Sequence, residues 1–455
     1  MSSHFTLRKG LNIPLKGEAL LRMDLEDTCT SYALKPSDFP HLVPKLLVHE
    51  GDTVLAGSPV FCNKAYPHMV FTSPVSGTVQ EIVRGEKRKL TAIRIAADGK
   101  NQKVLFPVDI PENLSPERIK ELLLESGCWP FITRRPYGTL ARPEEQPLHI
   151  YISCFDTAPL APDLDFAFAA EEEALAMGLR VMERLCPENV HLGLSGKMSE
   201  HSVFERLKGK KHYFTGPHPA GNPGVQIHRV CPAGKNRIIW TLTPLGLAIV
   251  GKLFLHGWVD TVRMVAVTGP ALEKTGYIPC LAGTHIASLT GFPRKKDIEI
   301  RTISGNPLTG DNIGEDGFLG FHHQHITFLE EGNKRELFGW ARPLRLHRFS
   351  TARTYLTFVA PLLGKTGRFA LDTNTNGDKR AFVMTADYRK VLPMDILVSQ
   401  LLKATLAGDV EKMEQLGIYE VIPEDLALCE FICSSKIDIQ DIVNQGIALM
   451  IKEMQ

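Results

Sequence analysis

The sequence predicts a multidomain chain that combines α/β and α+β units. With 455 residues, the chain is too long to fold around a single hydrophobic core. Short apolar runs separated by Gly and Pro turns fill roughly the first hundred residues, and alternating strand-like and helical patterns follow. Helical periodicity occupies the last part of the chain. We therefore expect, in chain order, a small β unit, an α/β layer, a second mixed unit and a helical end.

Composition and charge exclude several classes of protein. Acidic and basic side chains nearly cancel, to a formal charge of +1, which gives no electrostatic basis for binding nucleic acid. The nine cysteines are scattered and odd in number, which favours a reducing cytoplasm. Residues 1–10 lack the apolar core of a signal peptide, and the most apolar stretch, Leu245 to Val259, contains Lys252 and His256. Any work at a membrane is therefore expected from outside the bilayer.

Residues 1–104 are predicted to form the small β unit. Turns at Gly51 and Gly57 separate the apolar runs that follow His49, and Ser73 to Val79 adds a strand and a Pro/Gly turn. This pattern resembles a biotinyl/lipoyl-type barrel-sandwich hybrid, in which two four-stranded halves close over one small core. The resemblance implies that fold for the N-terminal part of the chain.

Lys64 raises the alternative of a biotin or lipoyl carrier protein. Such carriers present a modified lysine at a hairpin tip, and Lys64 stands near that place in the run from Asn63 to His68. The run lacks the acidic-Lys-Ala or Met-Lys-Met setting of a carrier. Gly85 to Lys89 is a basic turn and supplies no second Glu-Gly-Asp. The carrier hypothesis is therefore the less favoured one.

Residues 105–257 alternate between helical and strand-like patterns. Ser115 and Gly127 are placed to begin and end the first helix. The further predicted elements are, in order, strand 148–153, helix 171–185, strand 190–194, helix 200–208, strand 238–242 and helix 244–256. Alternation of this kind predicts a parallel sheet with helices on its faces, which is a Rossmann-like layer.

This layer lacks the glycine signature of a dinucleotide site. No G-x-G-x-x-G follows any predicted strand, and the glycine-rich piece is Gly216 to Gly224. It carries prolines at Pro217, Pro219 and Pro223, which remove the backbone amides that a pyrophosphate needs. The segment is therefore predicted to be a rigid turn that packs or docks rather than a nucleotide cradle.

Residues 258–335 are predicted to form a third unit with one helix and several strands. Strands are expected at 263–267, 298–303 and 325–329, a helix within 277–289 and a turn at 304–310. This composition resembles the soluble-ligand-binding β-grasp (SLBB) domain.

A histidine cluster in this unit raises the question of a metal site. Neighbouring side chains on a strand point to opposite faces, so of His322, His323 and His325 only the last two could share an ion. No carboxylate partner is evident nearby. No metal site is predicted.

Residues 336–375 form a predicted connector with basic and aromatic side chains. Trp340, Arg342 and Arg345 are candidates for docking on an acidic partner or on lipid headgroups, with a solvated connector as the alternative.

Residues 376–455 should form a helical domain, with helices near 394–406, 410–416 and 439–451. This domain contains only Cys429 and Cys433, and an iron–sulfur cluster normally needs four cysteines. The domain thus has the character of an iron–sulfur domain that has lost its ligands, and the role of the two cysteines is left open.

Five stretches in order resemble the NqrA family, the A subunits of the bacterial sodium-translocating NADH:quinone oxidoreductases, over nearly the whole chain. They are Lys9-Gly10-Leu11 with Pro14, Phe71 to Val79, Gly216 to Gly221, Glu336 to Ala341 and Glu424 to Cys433. The wider family includes the flavin- and cluster-bearing subunit of respiratory complex I and its counterpart in the Rnf complex. A flavin-dependent NADH dehydrogenase subunit of that kind is the alternative, but this chain lacks the flavin glycines and cluster cysteines.

The resemblance implies one subunit of a translocase, which is not catalytic alone. It implies a peripheral position on the cytoplasmic face of the inner membrane, with the five other subunits of the complex, B to F, as partners. The complex would pass electrons from NADH through flavins and iron–sulfur centres on those partners to ubiquinone or menaquinone, and export Na⁺. This chain would hold no cofactor and would serve the quinone end of the path.

Two irregular stretches offer the chemistry of a quinone site. A quinone ring needs aromatic or apolar contacts and a hydrogen-bond donor at each carbonyl. The candidates in the two stretches are Phe39, His41, Trp129, Phe131, Arg134, Arg135 and Tyr137. The alternative is that each stretch is a packing loop between domains.

Overall fold

The computed structural model describes residues 3–23, 29–333, 349–350 and 367–453. Strand β1, Ser3–Thr6, begins the described chain, but it does not join the barrel. It pairs in parallel with a strand near residue 212 of the α/β layer. The assignment of residues 1–104 to the barrel is therefore wrong for β1. The tertiary context decides this, since an edge strand of four residues carries no sequence signal of its partner.

The N-terminal barrel consists of two small sheets that face each other. Its strands are β2 Ser31–Leu34, β3 Pro44–Leu46, β4 Thr53–Val54, β5 Pro59–Asn63, β6 Val70–Thr72, β7 Gly77–Arg84 and β8 Leu90–Ala97. The sheet orders are β2-β8-β7-β4 and β3-β5-β6. The barrel-sandwich fold is confirmed, but in the described residues the second half has three strands rather than four. Lys64 lies exposed in the turn after β5.

The α/β domain contains the largest sheet. Its own strands are β9 Thr133–Arg135, β10 Thr139–Leu140, β11 His149–Ser153, β12 Val190–Ser195, β13 Lys210–Thr215 and β14 Ile239–Leu242. The order is β1-β13-β12-β11-β14-β9-β10, parallel from β1 to β14 and antiparallel at β9 and β10. The predicted parallel sheet is confirmed.

Helices cover both faces of this sheet. They are α1 Pro116–Ser126, α2 Leu164–Ala167, α3 Glu172–Leu185, α4 Val203–Arg206, α5 Pro223–Val230 and α6 Pro244–His256. Helix α1 begins at Ser115, whose hydroxyl accepts from the Arg118 amide, and ends at Gly127 with φ of 76°, as predicted. The predicted helix 200–208 shrinks to α4, because Ser202 caps its start and Leu207 is already extended.

Three histidines form a ladder across this sheet. His149, His191 and His212 lie on the neighbouring strands β11, β12 and β13. His149 Nδ1 is 3.0 Å from His191 Nε2, and His191 Nδ1 is 2.9 Å from His212 Nε2. We call this set the histidine ladder. Burial lowers the pKa of all three rings, most strongly at His191, to about 3, where both neighbouring rings add to the effect.

The β-grasp domain has the strand order β16-β15-β19-β17-β18. The strands are β15 Arg263–Thr268, β16 Gly276–Cys280, β17 Ile300–Ser304, β18 Asp311–Asn312 and β19 His325–Glu330. The helix predicted within 277–289 is wrong. Residues 276–280 pair antiparallel with β15, and Gly283 has φ of 72° and packs directly on the Ala33 carbonyl. Only a single 3₁₀ turn, Ile286–Ser288, remains helical there.

The C-terminal domain is helical, as predicted. Its helices are α7 Tyr388–Val391, α8 Val398–Ala407, α9 Val410–Gln415, α10 Ala427–Ile432 and α11 Ile439–Glu453. Cys429 and Cys433 are buried in its core, where the Tyr388 hydroxyl lies 3.2 Å from Cys433 Sγ. All nine cysteines of the chain lie in the described ranges, are buried and form no disulfide bond. No described helix has the length and apolar character needed to cross a membrane.

Candidate ligand cleft between three domains

A cavity of about 310 Å³ opens at the carboxyl ends of β11 and β14. The chain leaves β11 for β12 on one side, while β14 lies on the other, so the cavity sits where the strand order reverses. Ligands of open α/β sheets bind at this point. Ser153 and Thr243 line it from the α/β domain, Asn306 and His325 from the β-grasp domain, and Glu424 from the helical domain. We call it the interdomain cleft.

The proline-rich segment 216–224 forms one side of the cleft. The Ser153 hydroxyl donates to the Gly221 carbonyl at 2.8 Å, and the Gly221 amide donates to the Thr157 hydroxyl at 2.9 Å. His218 Nδ1 lies 3.1 Å from the same Thr157 hydroxyl. The segment therefore packs against the end of β11, as predicted for a rigid turn. Its last proline, Pro223, is the first residue of α5 and offers no amide to an anion.

Unpaired donors line the β-grasp side of the cleft. His325 is 5% exposed, and its Nε2 has no hydrogen-bond partner among the described residues. The side-chain nitrogen of Gln324, Nε2, also has no hydrogen-bond partner within the described structure. Burial lowers the pKa of His322 and of His325 to about 3, and a neighbouring histidine adds to both shifts. These rings are neutral at physiological pH, so each carries one N–H that can donate.

The geometry predicted for the histidine cluster is wrong. Strand β19 begins at His325, so His322 and His323 lie in the turn before it. His323 Nδ1 lies 2.8 Å from the Ser304 hydroxyl, and the charge of Asp311 reaches the ring. A carboxylate is therefore nearby after all. No group of His, Cys, Asp and Glu in the described ranges has the arrangement of a metal site.

Two carboxyl groups also line the cleft, Asp156 from the α/β domain and Glu424 from the helical domain. Burial raises the pKa of Glu424 to about 7, with further contributions from the charges of Asp425 and Asp156, against the opposing charge of Arg135. Desolvation by the surrounding chain also raises the pKa of Asp156, although this residue is exposed to solvent and the Ala158 amide donates to it at 2.8 Å. Glu424 thus holds a proton for much of the time at neutral pH.

Apolar side chains complete the cleft. Phe155, Leu164 and Leu308 also line it. Apolar side chains combined with a few hydrogen-bond donors suit a flat, neutral ring that carries acceptor atoms. A volume of about 310 Å³ stands at the small end of the range for ligand pockets, roughly 300–1,000 Å³.

Phe39 and Phe131 come from the two stretches that the sequence singled out, and the structure brings them together. Their rings meet Phe321 at centroid distances of 4.9 and 4.5 Å. They also approach His322, which lines the cleft, at 5.7 and 6.0 Å. Both phenylalanines are buried behind the cleft rather than in it. His41 lies exposed at a turn with φ of 60° and does not line the cleft.

The other candidates pack between elements. Trp129 is fully buried and donates from Nε1 to the Ala141 carbonyl at 2.8 Å. Arg134 forms an ion pair with Glu145, and its guanidinium faces the ring of Tyr137 at 5.2 Å. These contacts of Trp129 and Arg134 lie within the α/β domain, whereas Tyr137 also meets the ring of Tyr419 in the helical domain at 5.9 Å. The contact of all three with a quinone stays a prediction.

Arg135 makes the most extensive of these contacts. Its Nη1 donates to Asp425 Oδ2 at 2.6 Å, and its Nη2 donates to Asp425 Oδ1 at 3.3 Å. This buried ion pair joins the α/β domain to the helical domain. Trp340, Arg342 and Arg345 lie outside the described residues.

Sequence reasoning missed the residues that build the cleft. Asp156 carried a usable signal, since it follows a buried strand and carboxyl ends of parallel strands meet at one edge of a sheet. Gln324, His325 and Glu424 carried none, because their position depends on contacts between distant parts of the chain.

The fold defines a multidomain protein made of a barrel-sandwich hybrid, an α/β domain, an SLBB-type domain and a helical end, with a cavity where three of these domains meet. Family models agree with this order. The NqrA N-terminal barrel-sandwich hybrid domain matches residues 5–98, the NqrA second alpha/beta domain 114–259 and the NQRA C-terminal domain 264–314.

Curated relatives match along the whole chain, and each is named as the A subunit of a Na(+)-translocating NADH-quinone reductase. The protein from Rhodopirellula baltica is 32% identical over 98% of both chains. That from Neisseria meningitidis serogroup B is 33% identical over 98% of this chain and 99% of its own, and that from Yersinia pestis bv. Antiqua 34% over 96% and 98%. The chain belongs to the NqrA family, the A subunits of the Na(+)-translocating NADH-quinone reductases.

Proposed function

We propose that this chain is the quinone-binding peripheral subunit of a sodium-translocating NADH-quinone reductase, and that the interdomain cleft holds the quinone head group. Family membership supports the complex, and the cleft supports the ligand. The chain would carry no redox cofactor of its own. Flavins and iron–sulfur centres would reside on the other five subunits, B to F, at the cytoplasmic face of the inner membrane, and the acceptor would be ubiquinone or menaquinone.

The unpaired N–H groups of His325 and Gln324 carry this proposal. A buried donor without a partner costs about 1–3 kcal/mol, so a ligand that accepts from it recovers that energy on binding. A quinone ring is flat and neutral, and its two carbonyl oxygens accept hydrogen bonds on opposite sides. The neutral carboxyl of Glu424, which lines the cleft from the helical domain, would donate to the second carbonyl.

NADH, which the relatives' name includes, does not fit this cleft. A dinucleotide needs backbone amides at a helix start to hold its pyrophosphate, and Pro223 and Pro244 occupy the first positions of α5 and α6. Asp156 and Glu424 would repel the phosphates whenever they are ionised. NADH oxidation is therefore assigned to a partner in the complex.

Calorimetric titration of the purified full chain with ubiquinone-1 tests the proposal. We expect saturable one-to-one binding and at least tenfold weaker binding in His325→Ala, because about 1.4 kcal/mol or more of hydrogen bonding is lost. His285→Ala is the matched control, since His285 lies outside the cleft. NADH should give no heat of binding. Absence of ubiquinone binding, or equal loss in both variants, would overturn the assignment.

The assembled complex gives a second measurement. In the complex, His325→Ala should raise the KM for quinone. The rate of NADH oxidation measured with an artificial electron acceptor in place of quinone should stay unchanged. A variant that slows NADH oxidation equally with both acceptors would place His325 outside the quinone site.

A further inference from the structure

Glu424 and Asp425 are neighbours in the chain with opposite surroundings. Asp425 is fully buried, pairs with Arg135 and accepts from the Ile422 amide at 3.0 Å. Glu424 lines the interdomain cleft, is half-buried and takes part in none of the side-chain hydrogen bonds or ion pairs found among the described residues. Its carboxyl group is therefore available to a ligand in the cleft, whereas that of Asp425 is not.

We propose that Glu424 couples ligand affinity to pH, by donating a hydrogen bond to the quinone as a neutral acid and repelling the carbonyl oxygen as a carboxylate. The inference rests on the proposed function, because it presumes that the cleft binds a quinone. It adds that the protonation state of the Glu424 side chain determines the affinity for the quinone.

The groups around Glu424 favour an exchangeable proton. Asp425, on the same element, is committed to Arg135 of β9, and Asp156 after β11 adds negative charge. The remaining titratable groups of the cleft are four histidines, which burial keeps neutral: His218, His322, His323 and His325. The cation that acts on Glu424 is Arg135, whose charge lowers the pKa of Glu424 but which is already paired with Asp425.

Hydrogen-bond chemistry then gives the direction of the effect. A protonated carboxyl donates one O–H, whereas a carboxylate only accepts. Both carbonyl oxygens of a quinone are acceptors, so ionisation of Glu424 replaces an attraction with a repulsion. The pKa of Glu424 lies near 7, so binding that requires the acid form weakens about tenfold between pH 6 and pH 8.

The test measures the affinity of the full chain for ubiquinone-1 between pH 5.5 and pH 8.5. The unchanged chain should lose about tenfold in affinity across neutrality. Glu424→Gln keeps a donor at every pH, so its affinity should be the same throughout the range. Asp156→Asn is the matched control: it keeps Glu424, removes a like charge, and should shift the midpoint to lower pH while keeping the dependence.

Proton uptake gives an independent readout. At pH 8, binding to the unchanged chain should take up about one proton, seen as heats that differ between buffers of unlike ionisation enthalpy, and Glu424→Gln should take up none. If Glu424→Gln does not fold, Glu424→Ala replaces it, with weak but pH-independent affinity expected.

The outcomes separate this inference from the function it rests on. Absence of ubiquinone binding at every pH would remove the proposed function and the inference together. Binding by the unchanged chain that is independent of pH, or a pH dependence that persists in Glu424→Gln, would overturn the inference alone.

Discussion

Two polar regions at the border of the helical domain differ in whether their polar groups have partners within the protein. At the ion pair between Arg135 and Asp425, both charges are buried, at 3% and 0% side-chain exposure, and each meets its partner. At the interdomain cleft, Gln324 Nε2 and His325 Nε2 have no partner among the described residues, and Glu424 lines the same cavity. Paired groups hold domains together, whereas unpaired groups in a cavity mark the place of a ligand.

Breaking the paired region should have the largest effect. Arg135→Ala leaves Asp425 buried without its cation, so we expect a loss of about 3–5 kcal/mol in the free energy of unfolding. Urea denaturation of the full chain measures it. Arg135→Lys, which keeps the charge but loses the two-point contact, should lose less. A loss below about 1 kcal/mol for Arg135→Ala would mean that the pair does not hold the domains.

The histidine ladder is a second region of hydrogen-bonded side chains. Its contribution to the free energy of unfolding should decrease as the pH is lowered. Burial lowers the folded-state pKa of His191 to about 3, so between pH 6.5 and pH 3 only the unfolded state takes up its proton, and stability falls with pH. From pH 7 to pH 4.5 the contribution of this ring amounts to about 2–3 kcal/mol. Comparing urea midpoints of the unchanged chain and His191→Gln across this range isolates it. Parallel profiles would refute the assignment.

Substitution in the unpaired region should stabilise the protein. The folded-state pKa of Glu424 is raised, so stability is lost as pH rises through that pKa, and the loss is complete at pH 8. Because Glu424 is only half-buried, we expect Glu424→Gln to gain about 1 kcal/mol at pH 8 and nothing at pH 4. Its neighbour provides the control, since Asp425→Asn should destabilise. If both substitutions changed the free energy of unfolding in the same direction at pH 8, the proposed difference between the two regions would be wrong.

An exposed ion pair should have the smallest effect. Arg180 donates to both carboxylate oxygens of Glu112, at 2.8 and 2.5 Å, with the same two-point geometry as Arg135 but half-exposed to water. Arg180→Ala should therefore cost no more than about 1 kcal/mol by the same urea measurement. A cost equal to that of Arg135→Ala would show that geometry, rather than burial, sets the strength of these pairs.

Local patterns predicted most of the fold. The bounds of α1 were readable because Ser115 and Gly127 act within one turn of the helix, and α6 begins at Pro244 for the same kind of reason. The error at 277–289 arose because pairing with β15 overrode the local pattern.

The cleft could not be predicted in the same way. It unites Asp156, His325 and Glu424, and nothing near any one of them in the sequence indicates the other two. Phe39 and Phe131 were predicted to meet a quinone, yet the structure places them behind the cleft, where they support His322.

The pairing of β1 with β13 has a consequence for the order in which the protein assembles during translation. Strand β1 leaves the ribosome before the barrel, but its partner β13 emerges only after the barrel and much of the α/β domain. The barrel, whose strands pair with one another, can complete itself in the interval. Strand β1 must therefore wait for its partner until the barrel has been made, and in the chain the barrel is an insertion between β1 and the rest of the sheet to which β1 belongs.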